Sequence, residues 1–174
     1  MSEAATELNP VGETSTESLS SRATRELAAA FSSALAAGDA ERLSQLLADD
    51  VACRTPGRHM AAGVHRGRDR VMRALVSPAD ERVREIRTEV TDIVVDVRRA
   101  FVVLRTTGQL DDGVVTVPID VEVALHLQTD GERILGITEY NDDQHALDLI
   151  LGGTPSEVPE RTGRWRRWWQ RTAR

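Results

Sequence analysis

Two charged residues continue apolar rows and are the first candidates for chemistry. Arg105 follows Phe101 and Val103 at alternate positions, and Glu139 follows Ile137 in the same way. Side chains at every second position of a strand share one face, where an unpaired charge is costly to bury. The two rows therefore predict an Arg105–Glu139 ion pair in or at the mouth of an apolar pocket. The pair has either a functional or a structural role. The functional role is that of a polar anchor or of a positioned base (Glu139), and the structural role is that of a bridge that closes the wide end of the pocket.

The histidines and the single cysteine are weaker candidates. His59 and His65 flank a glycine-containing loop, where a histidine can act as acid or base, although solvated loop histidines are more common. Cys53 excludes an intrachain disulfide and a cysteine-based zinc site, and its surroundings favour a small buried apolar residue over a nucleophile. His126 and His145 fall on separate elements. We therefore expect no metal site and no cofactor.

The end of the sequence combines aromatic and basic side chains. Its three Trp are spaced i, i+3, i+4, which gives one face of a short helix beside a basic face. The residues are Trp165, Trp168, Trp169, Arg164, Arg167 and Arg171. Such a segment can lie on an anionic membrane surface, dock on a protein partner or on the acidic body of the chain, or stack on bases. The alternative is an inert, disordered tail, and the composition favours an interaction.

Charge and hydropathy narrow the class of protein. The chain has 174 residues and a net charge of −6, and its basic residues are all Arg. Residues 161–174 hold six Arg and no acidic residue, so the remainder carries a net charge of −12. A surface this acidic argues against nucleic-acid binding by the whole domain. Because neither a signal peptide nor a run of about 18 apolar residues is present, we expect a cytoplasmic protein, peripheral to the membrane if the tail docks there.

Hydrophobic spacing predicts the elements that must position these residues. A helix over 21–37 is expected to end at Gly38, and a second helix, capped by Asp39, to carry Leu43, Leu46 and Leu47 on one face. Further helices are expected over 69–76 and over 143–151, the last with Asp142 or Asp143 as its cap. A short extended piece at 51–54 and a polar loop up to Gly67 precede the third helix. Beyond residue 84 the period changes to two, which predicts strands at 85–97, 100–110, 114–128 and 133–141. The third of these strands has one apolar face, from Val115 to Leu127, and one polar face, and the last places Leu135 in one row with Ile137. Asp-Gly pairs at 112–113 and 130–131 indicate hairpin turns. The expected organisation is a disordered acidic lead (1–20), an α+β domain (21–152), a linker (153–163) and a basic Trp/Arg tail (164–174).

Three segments in a fixed order carry a family resemblance. They are AAGDAERLSQLLADDV at 36–51, HRGRDRVMRAL at 65–75 and DGERILGITEYNDDQHALDL at 130–149. In this order they resemble the SnoaL-like proteins of the nuclear transport factor 2-like superfamily, over residues 22–152. The resemblance implies an α+β fold in which a cone-shaped, curved antiparallel sheet carries the N-terminal helices on its concave face. It also implies a homodimer through the sheet and an apolar pocket for a small organic ligand.

Ketosteroid isomerases of this superfamily match the sequence poorly at their catalytic positions. Their general base falls on Thr55, their oxyanion-binding Tyr on Phe31, and their second acid near Val123. None of these three residues keeps the chemistry that proton abstraction next to a carbonyl requires. The sequence therefore argues against a ketosteroid isomerase.

Limonene epoxide hydrolases resemble the last third of the chain more closely. Their Arg-x-Asp and final-strand Asp fall on Arg105, Thr107 and Glu139, and their water-holding Tyr and Asn fall near Cys53 and Thr55. A Thr at position 107 cannot donate a proton as a carboxylic acid does. The charges at 105 and 139 are kept, but epoxide opening by that mechanism is not implied.

Two functions remain open. The first is a hydrolase, isomerase or cyclase of small apolar substrates, with Glu139 as base, Arg105 as orienting cation and Asp142 where SnoaL-type cyclases carry their acid/base, unless Asp142 only caps a helix. The expected ligand-binding residues are Phe31, Cys53, Thr55, Phe101, Val103, Thr107, Val123 and Ile137. The second is a non-catalytic binding or adaptor domain whose tail docks on a membrane surface or a protein partner.

Overall fold

A computed structural model describes residues 18–59, 61–76, 79–111 and 113–152. The helices are α1 (Leu19–Ala37), α2 (Ala40–Leu46), α3 (Arg68–Leu75) and α4 (Gln144–Ile150). The strands are β1 (Leu47–Thr55), β2 (Gly63–Arg66), β3 (Val83–Asp96), β4 (Arg99–Asp111), β5 (Thr116–Thr129) and β6 (Ile134–Asn141). The predicted α+β plan is confirmed, with helices at the start and four long strands in the second half.

Side-chain caps and a glycine define the first two helices. The Ser18 hydroxyl accepts a hydrogen bond from the backbone N–H of Ser21 at the start of α1. Gly38 ends α1 at a φ of 67°, a left-handed conformation that glycine adopts without a steric penalty. Asp39 then caps α2 by accepting from the N–H of Arg42, as the sequence predicts. These caps orient α1 so that one stripe of its side chains, which includes Leu27 and Phe31, is buried.

All six strands form one curved, unclosed sheet in the order β2-β1-β6-β5-β4-β3. The strands β3 to β6 pair antiparallel with their neighbours in sequence. The exception to this pattern is β6, which also pairs parallel with β1. The N-terminal strands β1 and β2 are therefore attached to the meander through β6, the last of the described strands.

Alternation on β4 and β5 separates an inner face from an outer face. The inner rows are buried and include Val102 and Leu104 on β4 and Val121, Leu125 and Leu127 on β5. Together with the buried stripe of α1 they form the core of the domain. The prediction that β5 has one apolar and one polar face is confirmed from Ile119 onward, whereas Val115 and Val117 are exposed.

Three local predictions are wrong. The strand β1 begins at Leu47, which the helical spacing places on α2, and the expected polar loop contains β2 paired with β1. An irregularity in the β5–β6 pairing at Gln128/Thr129 shifts the register of β6. As a result Ile134 is buried and Leu135 is 40% exposed, although the sequence places Leu135 in one row with Ile137.

Candidate functional site

A cavity of about 310 Å³ lies between the inner face of the sheet and the helices. Its lining comprises Leu35, Thr55, Ala61, Ala74, Leu75, Ala79, Ile86, Thr88, Leu104, Thr106, Val123, Leu125, Glu139, Leu147, Ile150 and Leu151. The size is at the lower end of the range for small-molecule sites. Of the described lining residues, only Glu139 is ionisable and only three others are polar, all of them Thr.

Glu139 is positioned by its pairing within the sheet. It lies opposite Leu125 of β5, whose side chain is buried on the inner face, and so it shares that face. Its Oε1 atom is buried and has no hydrogen-bond partner. Burial raises the pKa of Glu139 to about 7, against the opposing effect of hydrogen bonding from the Thr55 and Asn141 side chains. Near neutral pH this carboxyl group can therefore either hold or release a proton.

Thr55 reaches Glu139 because β1 and β6 run parallel. Cys53 pairs with Ile137 and Arg54 with Thr138, so the next residues on the two strands are neighbours. Behind Thr55, the Sγ atom of Cys53 lies 3.6 Å from its hydroxyl oxygen. Cys53 is buried, and burial, together with the charge of Glu139, raises the pKa of its thiol. A thiol held protonated in this way is a poor nucleophile, in agreement with the sequence interpretation.

A hydrogen-bonded cluster of polar side chains continues from Asn141, away from Glu139, to the place where the turn of residues 56–59 meets α4. The Asn141 amide donates to Gln144, whose own amide donates to Asp148 at 2.9 Å. Asp148 also accepts from the backbone N–H of Arg58 at 2.9 Å. These hydrogen bonds attach the turn to α4, which contributes Leu147 and Ile150 to the cavity wall.

His59 is enclosed in this turn, which corrects the expectation of a solvated loop histidine. Its side chain is fully buried, with Nε2 3.1 Å from the carbonyl oxygen of Pro56 and 3.9 Å from a carboxylate oxygen of Asp148. The Nδ1 atom is buried without a hydrogen-bond partner. Burial lowers the pKa of His59, with the Asp148 charge opposing it, so the ring is neutral at pH 7. His65, in contrast, lies on β2 and bonds the carbonyl of Ala61.

The expected Arg105–Glu139 ion pair is not formed. Arg105 lies on the outer face of the sheet and makes a bidentate salt bridge with Asp120 of β5. The pKa of Arg105 is raised above its usual range, first by this hydrogen bond and then by the Asp120 charge. The sequence interpretation places the row of Phe101, Val103 and Arg105 on the wrong face. Both rows of β4 are apolar, so alternation alone does not identify the row that faces the core. Arg105 therefore contributes no cation to the cavity.

The other residues of the Arg105 row lie on the same outer face. Phe101 is 44% exposed and stacks on His126, with ring centroids 4.7 Å apart. Val103 and Thr107 alternate with the inward-facing Val102, Leu104 and Thr106. The expected ligand-binding residues Phe101, Val103 and Thr107 are thus placed outside the cavity, on the opposite side of the sheet.

The remaining predicted site residues divide between the cavity and its surroundings. Thr55 and Val123 line the cavity. Phe31 and Ile137 are buried in the core and are not part of the lining. Asp142 is exposed, is not part of the described lining, and its carboxylate accepts from the backbone N–H of Glu122 on β5. The helix cap is supplied by Asp143, which accepts from the N–H of Ala146.

Sequence reasoning missed the polar pair at the other end of the cavity. The Thr88 and Thr106 hydroxyls lie 3.1 Å apart and both residues line the cavity. Thr106 pairs with Val121, four residues along β5 from the partner of Glu139, which corresponds to about 13 Å along a strand. The signal was the Ala100, Val102, Leu104 alternation, which continues directly to Thr106.

The predicted basic Trp/Arg tail lies outside the described residues, as do residues 1–17. In the part of the chain that the structure describes, no helix has both the length and the apolarity needed to cross a membrane.

Solved structures share this fold at low sequence identity. Bal32a, from a soil-derived mobile gene cassette, superposes with a TM-score of 0.63 at 19% identity, covering 76% of this chain and 98% of its own. An NTF2-like protein from Burkholderia xenovorans gives 0.59 at 21% identity, with coverages of 77% and 99%. A protein with a ketosteroid isomerase-like fold from Catenulispora acidiphila, solved in complex with trimethylamine, gives 0.57 at 18%, with coverages of 78% and 99%.

Sequence comparison is more specific than these structural likenesses. No curated protein matches the chain significantly. The family model of the SnoaL-like domain matches residues 28–137, which is well over half of the chain and includes the second half of α1 and most of the sheet. The match confirms the resemblance drawn from the three sequence segments, and the chain belongs to the SnoaL-like domain family.

Proposed function

We propose that this SnoaL-like protein binds a small, largely apolar organic molecule in its cavity and that Glu139 is the functional group of the site. The observation that carries the proposal is a single ionisable side chain among the described lining residues, which are otherwise aliphatic apart from three Thr. Such a carboxyl group can orient a ligand by one polar contact. With a pKa near 7 it can also exchange a proton with the ligand.

The chemistry available at the site is acid–base chemistry by one residue. Arg105 and Asp142 lie elsewhere, so a hydrolase, isomerase or cyclase reaction would depend on Glu139 alone for proton transfer. The Thr88–Thr106 pair could donate one hydroxyl proton to a ligand oxygen, because one hydroxyl donates to the other and one proton stays free. The cavity therefore supports binding in the first place and single-residue proton transfer in the second.

The test is a ligand screen by thermal shift on the full chain and on Glu139→Gln. A cavity ligand is expected to raise the melting temperature of the wild type increasingly as its concentration exceeds its Kd, and to do so less in the variant. A matched control is Glu132→Gln, an exposed carboxylate in the β5–β6 turn. If every ligand shifts the three proteins equally, Glu139 is not the functional group of the site.

The outer face of the sheet supports the proposal of a homodimer. Val94, Phe101 and His126 lie side by side on β3, β4 and β5, and Val94 and Phe101 are 56% and 44% exposed. Tyr140 on β6 is 54% exposed close to this row. Exposed apolar side chains grouped in this way are typical of protein interfaces. Sedimentation analysis should show a dimer that Phe101→Glu dissociates, whereas Val64→Glu at the β2 edge should not.

The composition of residues 164–174 supports a second candidate, docking on an anionic membrane. Trp side chains favour the membrane interface, and each Arg near an anionic surface contributes about 1 kcal/mol. The full chain should bind vesicles that contain anionic lipid, and a chain ending at residue 152 should not. Binding to neutral vesicles with equal strength, or binding that survives the truncation, would contradict this role.

A further inference from the structure

The described lining of the cavity contains one acidic side chain and no basic one. Among the described lining residues there is no Arg and no His, and the one charged candidate is Glu139. The other polar lining groups are hydroxyls, which neutralise no charge. Burying an uncompensated carboxylate is costly, and the cost falls when a cation is brought next to it.

From this imbalance, and resting on the proposed function, we propose that the cavity takes small aliphatic or alicyclic amines, bound as ammonium cations beside Glu139. The aliphatic walls, such as Leu104 and Leu125, would cover the carbon body. The ammonium group would supply the counter-charge and the hydrogen-bond donors that Glu139 lacks at Oε1. Carboxylates and phosphates would be excluded, because they would bring a second negative charge into the cavity.

The described groups around Glu139 supply no positive charge, so the counter-charge would come from the ligand. Cys53, on the adjacent strand, is the titratable group whose pKa responds to the charge of Glu139, and its thiol is neutral. His59 and Asp148 follow beyond Asn141 and Gln144, and the neutral ring of His59 adds no positive charge. The helices that cover the cavity contribute leucines, isoleucine and alanine. An ammonium ion beside Glu139 would therefore meet no competing protein cation among the residues that the structure describes.

The experiment compares three probes that share one carbon ring: cyclohexylamine, cyclohexanol and cyclohexanecarboxylate. Affinities for the full chain are measured by calorimetry at pH 8, where both Glu139 and the amine are charged. The amine should bind at least tenfold more tightly than the alcohol, and the carboxylate more weakly than the alcohol. In Glu139→Gln the preference for the amine should be lost while alcohol binding remains, and Glu132→Gln should behave as the wild type.

Proton release provides a second readout that needs no variant. At pH 6 Glu139 is mostly protonated, so binding of an ammonium ion should release close to one proton. At pH 8 the release should be near zero. The proton count follows from titrations in two buffers of different ionisation enthalpy, and it decides the question even if Glu139→Gln folds poorly.

The outcomes separate this inference from the proposed function. Tight alcohol binding without a preference for the amine would overturn the amine assignment and leave the small-molecule cavity intact. Amine binding that persists in Glu139→Gln, or that releases no proton at pH 6, would also overturn the assignment. If none of the three probes binds, the amine assignment is overturned, while the proposed function is decided separately by the thermal-shift screen.

Discussion

Arg105 on β4 and Asp120 on β5 form a bidentate salt bridge, with Nε–Oδ1 and Nη2–Oδ2 distances of 2.7 and 2.5 Å. The pair lies on the outer face of the sheet, whereas Glu139 faces the cavity on the inner side. Two charges that the sequence places together are thus separated by the thickness of the sheet. Each of them consequently has a distinct partner and a distinct effect on the protein.

The first prediction is that Arg105→Gln leaves ligand binding in the cavity unchanged. Its guanidinium contacts Asp120 and no residue of the cavity lining. Because the ion pair is solvent-exposed, its loss should also change the urea midpoint only slightly. Calorimetric titration of wild type and variant with the same cavity ligand provides the measurement. A tenfold loss of affinity would show that the outer face communicates with the site.

The second prediction concerns stability as a function of pH. The pKa of Glu139 is about 7 in the folded chain and about 4.5 without burial, so Glu139 stays protonated up to a higher pH in the folded state than in the unfolded state. Glu139 therefore favours folding least when ionised, and its contribution to stability falls as the pH rises from 4.5 through 7. Gln mimics the protonated form, so the stability of Glu139→Gln relative to wild type should grow by about 2–3 kcal/mol from pH 5 to pH 8. Urea denaturation of both proteins at each pH measures the difference, and a constant difference would contradict the raised pKa.

The third prediction tests the attachment of the 56–59 turn to α4. A Cβ atom at Gly57, where φ is +108°, would overlap the Gln144 amide nitrogen and a carboxylate oxygen of Asp148. In Gly57→Ala these side chains must move and their hydrogen bonds to the turn weaken. We expect a loss of about 1–3 kcal/mol in unfolding free energy together with weaker ligand binding. The matched control is Gly38→Ala, which also has a positive φ but no atom within 4 Å of the added Cβ, and which should leave ligand affinity unchanged.

The fourth prediction distinguishes a core residue from a ligand contact. Phe31 is fully buried in the core cluster and is not part of the cavity lining. Phe31→Ala should therefore cost about 3–5 kcal/mol in unfolding free energy, as is usual for a buried Phe. Phe101→Ala, at a side chain that is 44% exposed, should cost well under half as much. Chemical denaturation of the two variants gives the comparison, and equal costs would contradict the assignment of Phe31 to the core.

Local rules predicted much of this fold. The Asp39 and Asp143 caps, the Gly38 helix end and the alternation of β5 depend on residues close in sequence, and the structure confirms them. The face of Arg105 depends on which of two apolar rows meets α1, a choice that involves residues far away in the chain. The parallel pairing of β1 with β6, which joins Thr55 to Glu139, has no local sequence signal. The site was therefore only partly predictable, with Glu139, Thr55 and Val123 found and the Thr88–Thr106 pair missed.

The position of β6 between β1 and β5 has a consequence for how the protein is made. The ribosome synthesises residues 134–141 after every other strand that the structure describes, so β1–β2 and the β3–β5 meander can be joined only then. Contacts between residues so distant in sequence form late and slowly. Glu139 belongs to this joining strand. The contact between Thr55 and Glu139 therefore forms only after residues 134–141 have been made, and a chain interrupted before residue 134 lacks the carboxyl group of the site.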